Sequence, residues 1–289
     1  WTWAAAFYAQ GVVMLVPASL FLLSKDDGSR IVNRDQRPPS LKSELQALRR
    51  SKTFRFTVLG YAGYAASVIG FSTFGPSIVV GLGLWTDSVR ASLAFSATLA
   101  VSGALGTPLG GLALDAWTRK RGHKLKAALE VSIATVGAGA LLITPAAFAR
   151  DRSWFLASIG LGTLPLFAAT SPMNVSIFEG VPREHRAFGI AVATLLMHAF
   201  GDVPSPIVVG LLKDRWAPAC APDARSRIGE ACGVGSKQRG HLRGITFGLC
   251  LYFLTSLVFF GVARWRAARR VEEVVAEPPT VTPLLEEDG

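Results

Sequence analysis

The chain has 289 residues, of which 50% are hydrophobic and 17% charged, with a formal net charge of +10 and a mean hydropathy of +0.37. Soluble domains carry roughly 25% charge, so this composition excludes an ordinary soluble protein and describes an all-α membrane protein. The positive excess would point to nucleic acid in a soluble chain; here no nucleic-acid partner is expected, and what matters is which loops hold Lys and Arg.

Seven apolar windows follow one another, each long enough to cross a hydrocarbon layer of roughly 30 Å as a helix of about 20 residues. The first, Trp3 to Leu23, lacks the initiator Met, basic n-region and cleavage pattern of a signal peptide, so the sequence reads as a fragment. Residues 24–53 then read as a cytoplasmic linker. Within it Pro38 and Pro39 deliver the chain to Ser40, a helix N-cap, and Leu41, Leu45 and Leu48 share one face of a short helix ending in Arg49, Arg50 and Lys52. That helix reads as lying on the membrane, its basic end suited to anionic headgroups, or as a site for a regulatory partner.

The second window, Phe54 to Leu82, is punctuated by Gly60, Gly63, Gly70, Gly75 and Pro76. These permit close helix approach or a break, with Pro76 the expected break point. Tyr61 and Tyr64, three residues apart, serve either interhelical packing or a cavity for an amphiphilic substrate. In the third window, Val89 to Trp117, Gly106 and Gly110 form a small-xxx-small pair against another helix. It ends in Gly111-x-x-x-Asp115-x-x-x-Arg119-Lys120. An Asp at a helix end can face the positive N-terminus of a neighbour, giving a contact made in one conformation and broken in another, or simply a topology and capping device.

Glu130 enters the fourth window, Leu125 to Phe148, about one turn in, and reads as an interfacial carboxylate or the partner of a linker arginine. The fifth, Trp154 to Phe178, holds Asn174, which bonds a neighbouring helix or a substrate; its sequon with Ser176 lies within the span. The sixth, Ala187 to Leu212, contains "HAFGDVPSPIVVG". An ionised Asp202 in lipid costs about 3 kcal/mol or more, so it should face a bundle interior or water. His198, four residues earlier, lies on the same helical face, and Pro204 and Pro206 free backbone carbonyls where a kink is expected. The pair reads as a polar latch between helices, as a substrate or proton site in a transport pathway, or as membrane enzyme chemistry, for which no third catalytic group is evident. Cys220 and Cys232, in the following outer loop, are placed where a disulfide is permitted. The last window runs from Gly244 to Val262, and residues 265–289 read as a disordered, acidic cytoplasmic tail.

With the Trp1 end outside, 20 of the 30 basic residues fall in cytoplasmic segments and three in the short outer ones, a strong orientation signal. The outer segment from Lys213 to Arg243 breaks the pattern with seven basic residues. No catalytic constellation, cofactor motif or metal-ligand spacing occurs: there is no phosphate-cradling loop, no Gly-x-Ser-x-Gly and no Cys-x-x-Cys.

The Gly111 to Lys120 pattern resembles the loop signature of the major facilitator superfamily, with Ala116 and Thr118 replacing a usual Arg and Gly. His198-x-x-Gly201-Asp202-x-x-Ser205-Pro206-x-x-x-Gly210 is similar to the eleventh helix of its Spinster branch, and "LGYAGYAASVIGFSTFGPSIV" to the seventh. The resemblance covers about residues 1–265. It implies a major facilitator fold with about seven of twelve transmembrane helices: residues 1–23 the last helix of an N-terminal bundle, 54–264 the C-terminal six-helix bundle. It further implies transport of sphingoid or lysophospholipid substrates, in the plasma or endolysosomal membrane, with protons as a coupling partner in some members. The coupling carboxylates of such proteins lie in the N-terminal six-helix bundle, which this chain lacks. The expectation is therefore a transporter and not an enzyme, with Tyr61, Tyr64, Asn174, His198 and Asp202 as substrate-binding candidates, and Gly111, Asp115, Arg119 and Lys120 as gating residues. The alternatives are a facilitator of small organic anions or sugars, and a non-transporting scaffold or receptor.

Overall fold

Local signals start the helices. Ser40 accepts the Ser43 N–H at the head of α2 (Leu41–Arg50), and Ser51 accepts the Phe54 N–H at the head of α3 (Lys52–Gly81). Asp87 and Asp151 do the same for α4 (Ser88–Arg121) and α6 (Arg152–Ala168), each supplying an acceptor that the first helical turn lacks. The computed structural model describes residues 3–23, 40–223, 225 and 227–276. The remaining helices are α1 (Trp3–Leu23), α5 (Lys124–Ile143), α7 (Thr170–Glu179), α8 (Arg186–Met197), α9 (Pro204–Trp216) and α10 (Lys237–Ala276). Among the described residues there is no strand.

Two units form the chain, divided between Pro39 and Ser40. In the first, α1 is a 21-residue helix with an apolar stretch, Phe7–Leu20, whose side chains are exposed, as on a helix that needs lipid or protein around it. The second unit holds six segments long and apolar enough to cross a membrane: Lys52–Gly81, Ser88–Arg121, Lys124–Phe148, Arg152–Glu179, Arg183–Trp216 and Lys237–Arg269. The protein is an integral membrane protein.

Within this unit α3 packs along α10, α10 on α5, α5 on α6, and α6 on α4. Glycines set the closest approaches. A Cβ added at Gly60 would lie 2.8 Å from the Phe260 ring, and one at Gly63 2.6 Å from the Thr255 hydroxyl, so α3 meets α10 through its glycine face. A Cβ at Gly106 would lie 2.4 Å from the Leu164 carbonyl oxygen and one at Gly110 only 1.9 Å from that of Ala168. The small-xxx-small pair thus presses α4 directly onto the backbone of α6.

Four sequence expectations shift. Pro76 does not break α3, which continues to Gly81; it lies in the last turns, where its missing N–H removes a single bond. The fifth span is interrupted at Ala169, where Pro172 cannot donate to the Ala168 carbonyl and the chain steps from α6 into α7. Lys213 is no loop residue but is buried in α9, its ammonium donating to the Ser77 hydroxyl at 2.7 Å. Finally α10 extends through Ala276, covering the first part of the segment expected to be disordered. No Gly or Pro interrupts the chain there until Pro278. The rest of that tail, and most of the 24–53 linker, lie outside the described residues.

Candidate functional site

The sixth span is divided by one π turn, His198–Asp202, in which the Val203 N–H bonds the His198 carbonyl at 3.0 Å. Its cause is local. Pro204 and Pro206 cannot donate to the carbonyls of Phe200 and Asp202, so the ladder widens by one residue and α9 restarts with proline in its first turn, where no donor is needed. The irregular turn therefore precedes the prolines instead of falling on them.

The turn holds His198 Nδ1 hydrogen-bonded to Asp202 Oδ2. The imidazole is 53% exposed and the carboxylate side chain 20%. The second carboxylate oxygen, Oδ1, is buried without a hydrogen-bond partner. Two contacts clamp the turn to α3: a Cβ at Gly201 would lie 2.6 Å from the Ala62 carbonyl oxygen, and the Ser205 hydroxyl donates to the Ala66 carbonyl.

Two cavities border this stretch. One of about 160 Å³ is lined by Tyr61, Asn174, Ala193, Thr194 and Met197, among others, between α3, α7 and α8. The other, of about 640 Å³, is a mostly apolar groove running from Phe200, Gly201 and Tyr252 to Trp216 and His241 between α9 and α10. Its α10 wall includes the stripe Gly240, Gly244 and Gly248, where an added Cβ would meet nothing within 4 Å among the described residues. At its far end His241 Nδ1 donates to the Trp216 carbonyl at 2.9 Å.

The five substrate-binding candidates thus separate. Tyr61 and Asn174 share the small pocket, and His198 and Asp202 share the π turn. Asn174 is exposed and makes no side-chain hydrogen bond to another helix among the described residues. Tyr64 takes the interhelical-packing place that its spacing left open beside cavity lining. Although its ring meets Tyr61 edge-on at 6.0 Å, it is buried and its hydroxyl donates to the Leu166 carbonyl at 2.8 Å, just before the interruption of the fifth span.

The gating candidates are less engaged. Asp115 and Arg119 are exposed, with no side-chain partner among the described residues; Gly111 sits beside the Ser171 hydroxyl; and Lys120 lies over the Trp117 ring at 5.0 Å. The interactions at this end of the bundle converge instead on Glu130. Trp117 Nε1 and Arg121 Nε donate to its Oε2 at 2.6 and 3.0 Å, and Arg264 donates to Oε1 from Nε at 2.8 Å. Its partners are therefore the ends of α4 and α10, not a linker arginine. Sequence reasoning missed this joint; the one local signal was Trp117 and Arg121 standing beside the motif.

Across the bundle, Cys220 and Cys232 form a disulfide with Cα atoms 5.1 Å apart. In the same loop, the backbone N–H of Arg227, that of Arg225 and the Arg227 guanidinium hold the Asp223 carboxyl below the usual carboxylate range.

Comparison with known proteins gives this arrangement a family. Residues 1–206 match the family model of the Major Facilitator Superfamily. The chain is 28% identical over 228 residues to the Arabidopsis thaliana protein named probable sphingolipid transporter spinster homolog 2, covering 73% of this chain and 46% of that one. It is 31% identical over 171 residues to probable sphingolipid transporter spinster homolog 3 of the same plant, covering 59% and 32%. The crystal structure of a bacterial homolog of the human lysosomal transporter Spinster, inward-facing and unoccupied, aligns with a TM-score of 0.63 at 16% identity, over 80% of this chain and 51% of that one. That last likeness is one of fold. The chain spans about half, or less, of the length of these relatives. With most of its residues matched by the family model and its helical fold shared with such a transporter, the chain belongs to the Major Facilitator Superfamily.

Proposed function

We propose that this chain supplies one half of a secondary-active transporter for an amphiphilic, lipid-like solute, a sphingoid base or a lysophospholipid, moved by alternating access against an opposing six-helix bundle. The observation that carries the reading is the π turn at residues 198–202. It presents an imidazole and a half-satisfied carboxylate, while Phe200 and Gly201 of the same turn line the larger apolar groove and Met197, the residue before it, lines the Tyr61 and Asn174 pocket. An amphiphile needs both surfaces: polar groups at fixed positions for its head and an apolar trough for its chain. A carboxylate inside a spanning helix costs several kcal/mol unless it is paired or solvated, and one oxygen of Asp202 has no partner, which makes it the residue to test. The names of the Arabidopsis relatives support the same solute class.

The test is uptake of a fluorescent lysophosphatidylcholine by the full-length protein in liposomes. Unlabelled lysolipid and sphingosine are expected to compete and glucose is not, and Asp202→Asn is expected to lower uptake about tenfold. Unchanged uptake in the variant, together with indifference to lysolipid competitors, rejects the proposal. The small volume of the Tyr61 pocket favours a second reading, a facilitator of small organic anions or sugars. Competition by such solutes instead of lysolipids would select it.

A further inference from the structure

Where α2 ends, α3 begins and α10 leaves the bundle, a cavity of about 530 Å³ is lined by Arg50, Lys52, Arg266 and Arg269 together with Ser51 and Thr53. No carboxylate lines it. None of its four cations has an ion-pair partner among the described residues, and the Nε of Arg266 is buried without a hydrogen-bond acceptor. Trp265 carries two of them on its ring, with the Arg266 and Arg269 guanidinium carbons 4.7 and 4.2 Å from its centroid. Like charges gathered in one recess repel, and an unpaired buried guanidinium N–H is costly, so the arrangement calls for an anion with several acceptor oxygens. Phosphate fits these donors: guanidinium forks bind it bidentately, and the start of the 30-residue α3 adds the positive end of its dipole.

A separate observation says where that phosphate comes from. Helix α2 runs into the cavity at Arg50 while exposing Leu41 and Leu45, 65% and 50% exposed, one to two turns earlier. Its other leucine, Leu48, is packed against Phe54 and Val181. A short basic helix anchored by one apolar residue and presenting two others is built to lie in a membrane interface, with leucines among acyl chains and its basic end at headgroup height.

We propose that this cavity binds the phosphate of an anionic lipid headgroup, with α2 seated in the same leaflet. The site is independent of the solute-transport reading. It is tested on the full-length protein in detergent by native mass spectrometry and thermal unfolding, with dioctanoyl phosphatidylinositol bisphosphate, dioctanoyl phosphatidylcholine and inorganic phosphate as separate probes. The bisphosphate lipid is expected to remain bound and raise the unfolding midpoint, and phosphatidylcholine to do neither. Arg266→Gln with Arg269→Gln is expected to weaken retention about tenfold. Arg50→Gln, on the exposed end of α2, is expected to weaken it less while leaving the lipid-free midpoint unchanged. Equal retention of both lipids, or retention unaffected in every variant, overturns the site. Inorganic phosphate matching the lipid's shift overturns the lipid as the occupant. Binding that emerges only after deletion of residues 277–289 overturns it in favour of the acidic tail.

Discussion

Glu130 and Asp202 stand in spanning helices with nearly equal exposure, 18% and 20% of the side chain, yet their surroundings are opposite. Glu130 has both oxygens occupied, by Trp117 and Arg121 on one side and Arg264 on the other, so three helices meet at one carboxylate. Asp202 has one oxygen on His198 and one on nothing. A carboxylate whose acceptors are all used fixes structure. One with a spare acceptor has capacity left for a further partner, and the polypeptide around it, a π turn whose Phe200 and Gly201 line the apolar groove, is the irregular stretch of its span.

The sharpest way to break this comparison is Glu130→Ala. It leaves Arg121 and Arg264 without their shared counter-charge, and removing the carboxylate that joins three helices in a partly buried network should cost about 2 to 3 kcal/mol, read as a fall in the unfolding midpoint in detergent. An unchanged midpoint would show that the joint fixes nothing. Next comes Gly110→Ala, at the other contact of the rigid side. The added methyl would meet the Ala168 carbonyl, and forcing α4 away from α6 should cost about 2 kcal/mol by the same measurement. Asp202→Asn is expected to behave the other way round: stability within about 1 kcal/mol of wild type, since the amide oxygen still accepts from His198, but uptake down about tenfold. Comparable losses of stability for Glu130→Ala and Asp202→Asn would erase the distinction. The smallest effect is expected from Pro204→Ala, which returns an N–H able to bond the Phe200 carbonyl. It should favour a regular α turn and alter uptake by about threefold with little change in midpoint.

What the sequence disclosed was what is local. Hydropathy placed the six spans of the second unit, while of the first window only Phe7–Leu20 stands as a shorter apolar helix; Ser40 announced its cap, Gly106 and Gly110 announced a close helix contact, and the spacing of His198 and Asp202 placed both on one face. The π turn keeps that pairing because its four-residue separation still brings the two groups to the same side. Long-range partnerships were silent. Arg264 reaches Glu130 across 134 residues, and the Tyr64 hydroxyl finds the Leu166 carbonyl across 102, tying α3 to the interrupted span. The interruption itself was signalled by Pro172, which carried no weight beside the more conspicuous prolines of the next span. Lys213 counted as an outer-loop charge because nothing in its neighbourhood revealed Ser77 and Phe74 as its partners on α3. Five of the seven basic residues of that outer segment in fact lie in helices: Lys213 and Arg215 in α9, and Lys237, Arg239 and Arg243 in the first turns of α10.

The widened turn also sets the azimuth of everything downstream. One surplus residue advances the helix by about 100° relative to an uninterrupted α-helix. Ser205, Val209 and Lys213 face the protein, and Ile207, Val208 and Leu211 the surroundings, only because that surplus is present. Excising a single residue from 198–203 would smooth the rod and swing its polar edge outward, aiming an ammonium and a hydroxyl at hydrocarbon.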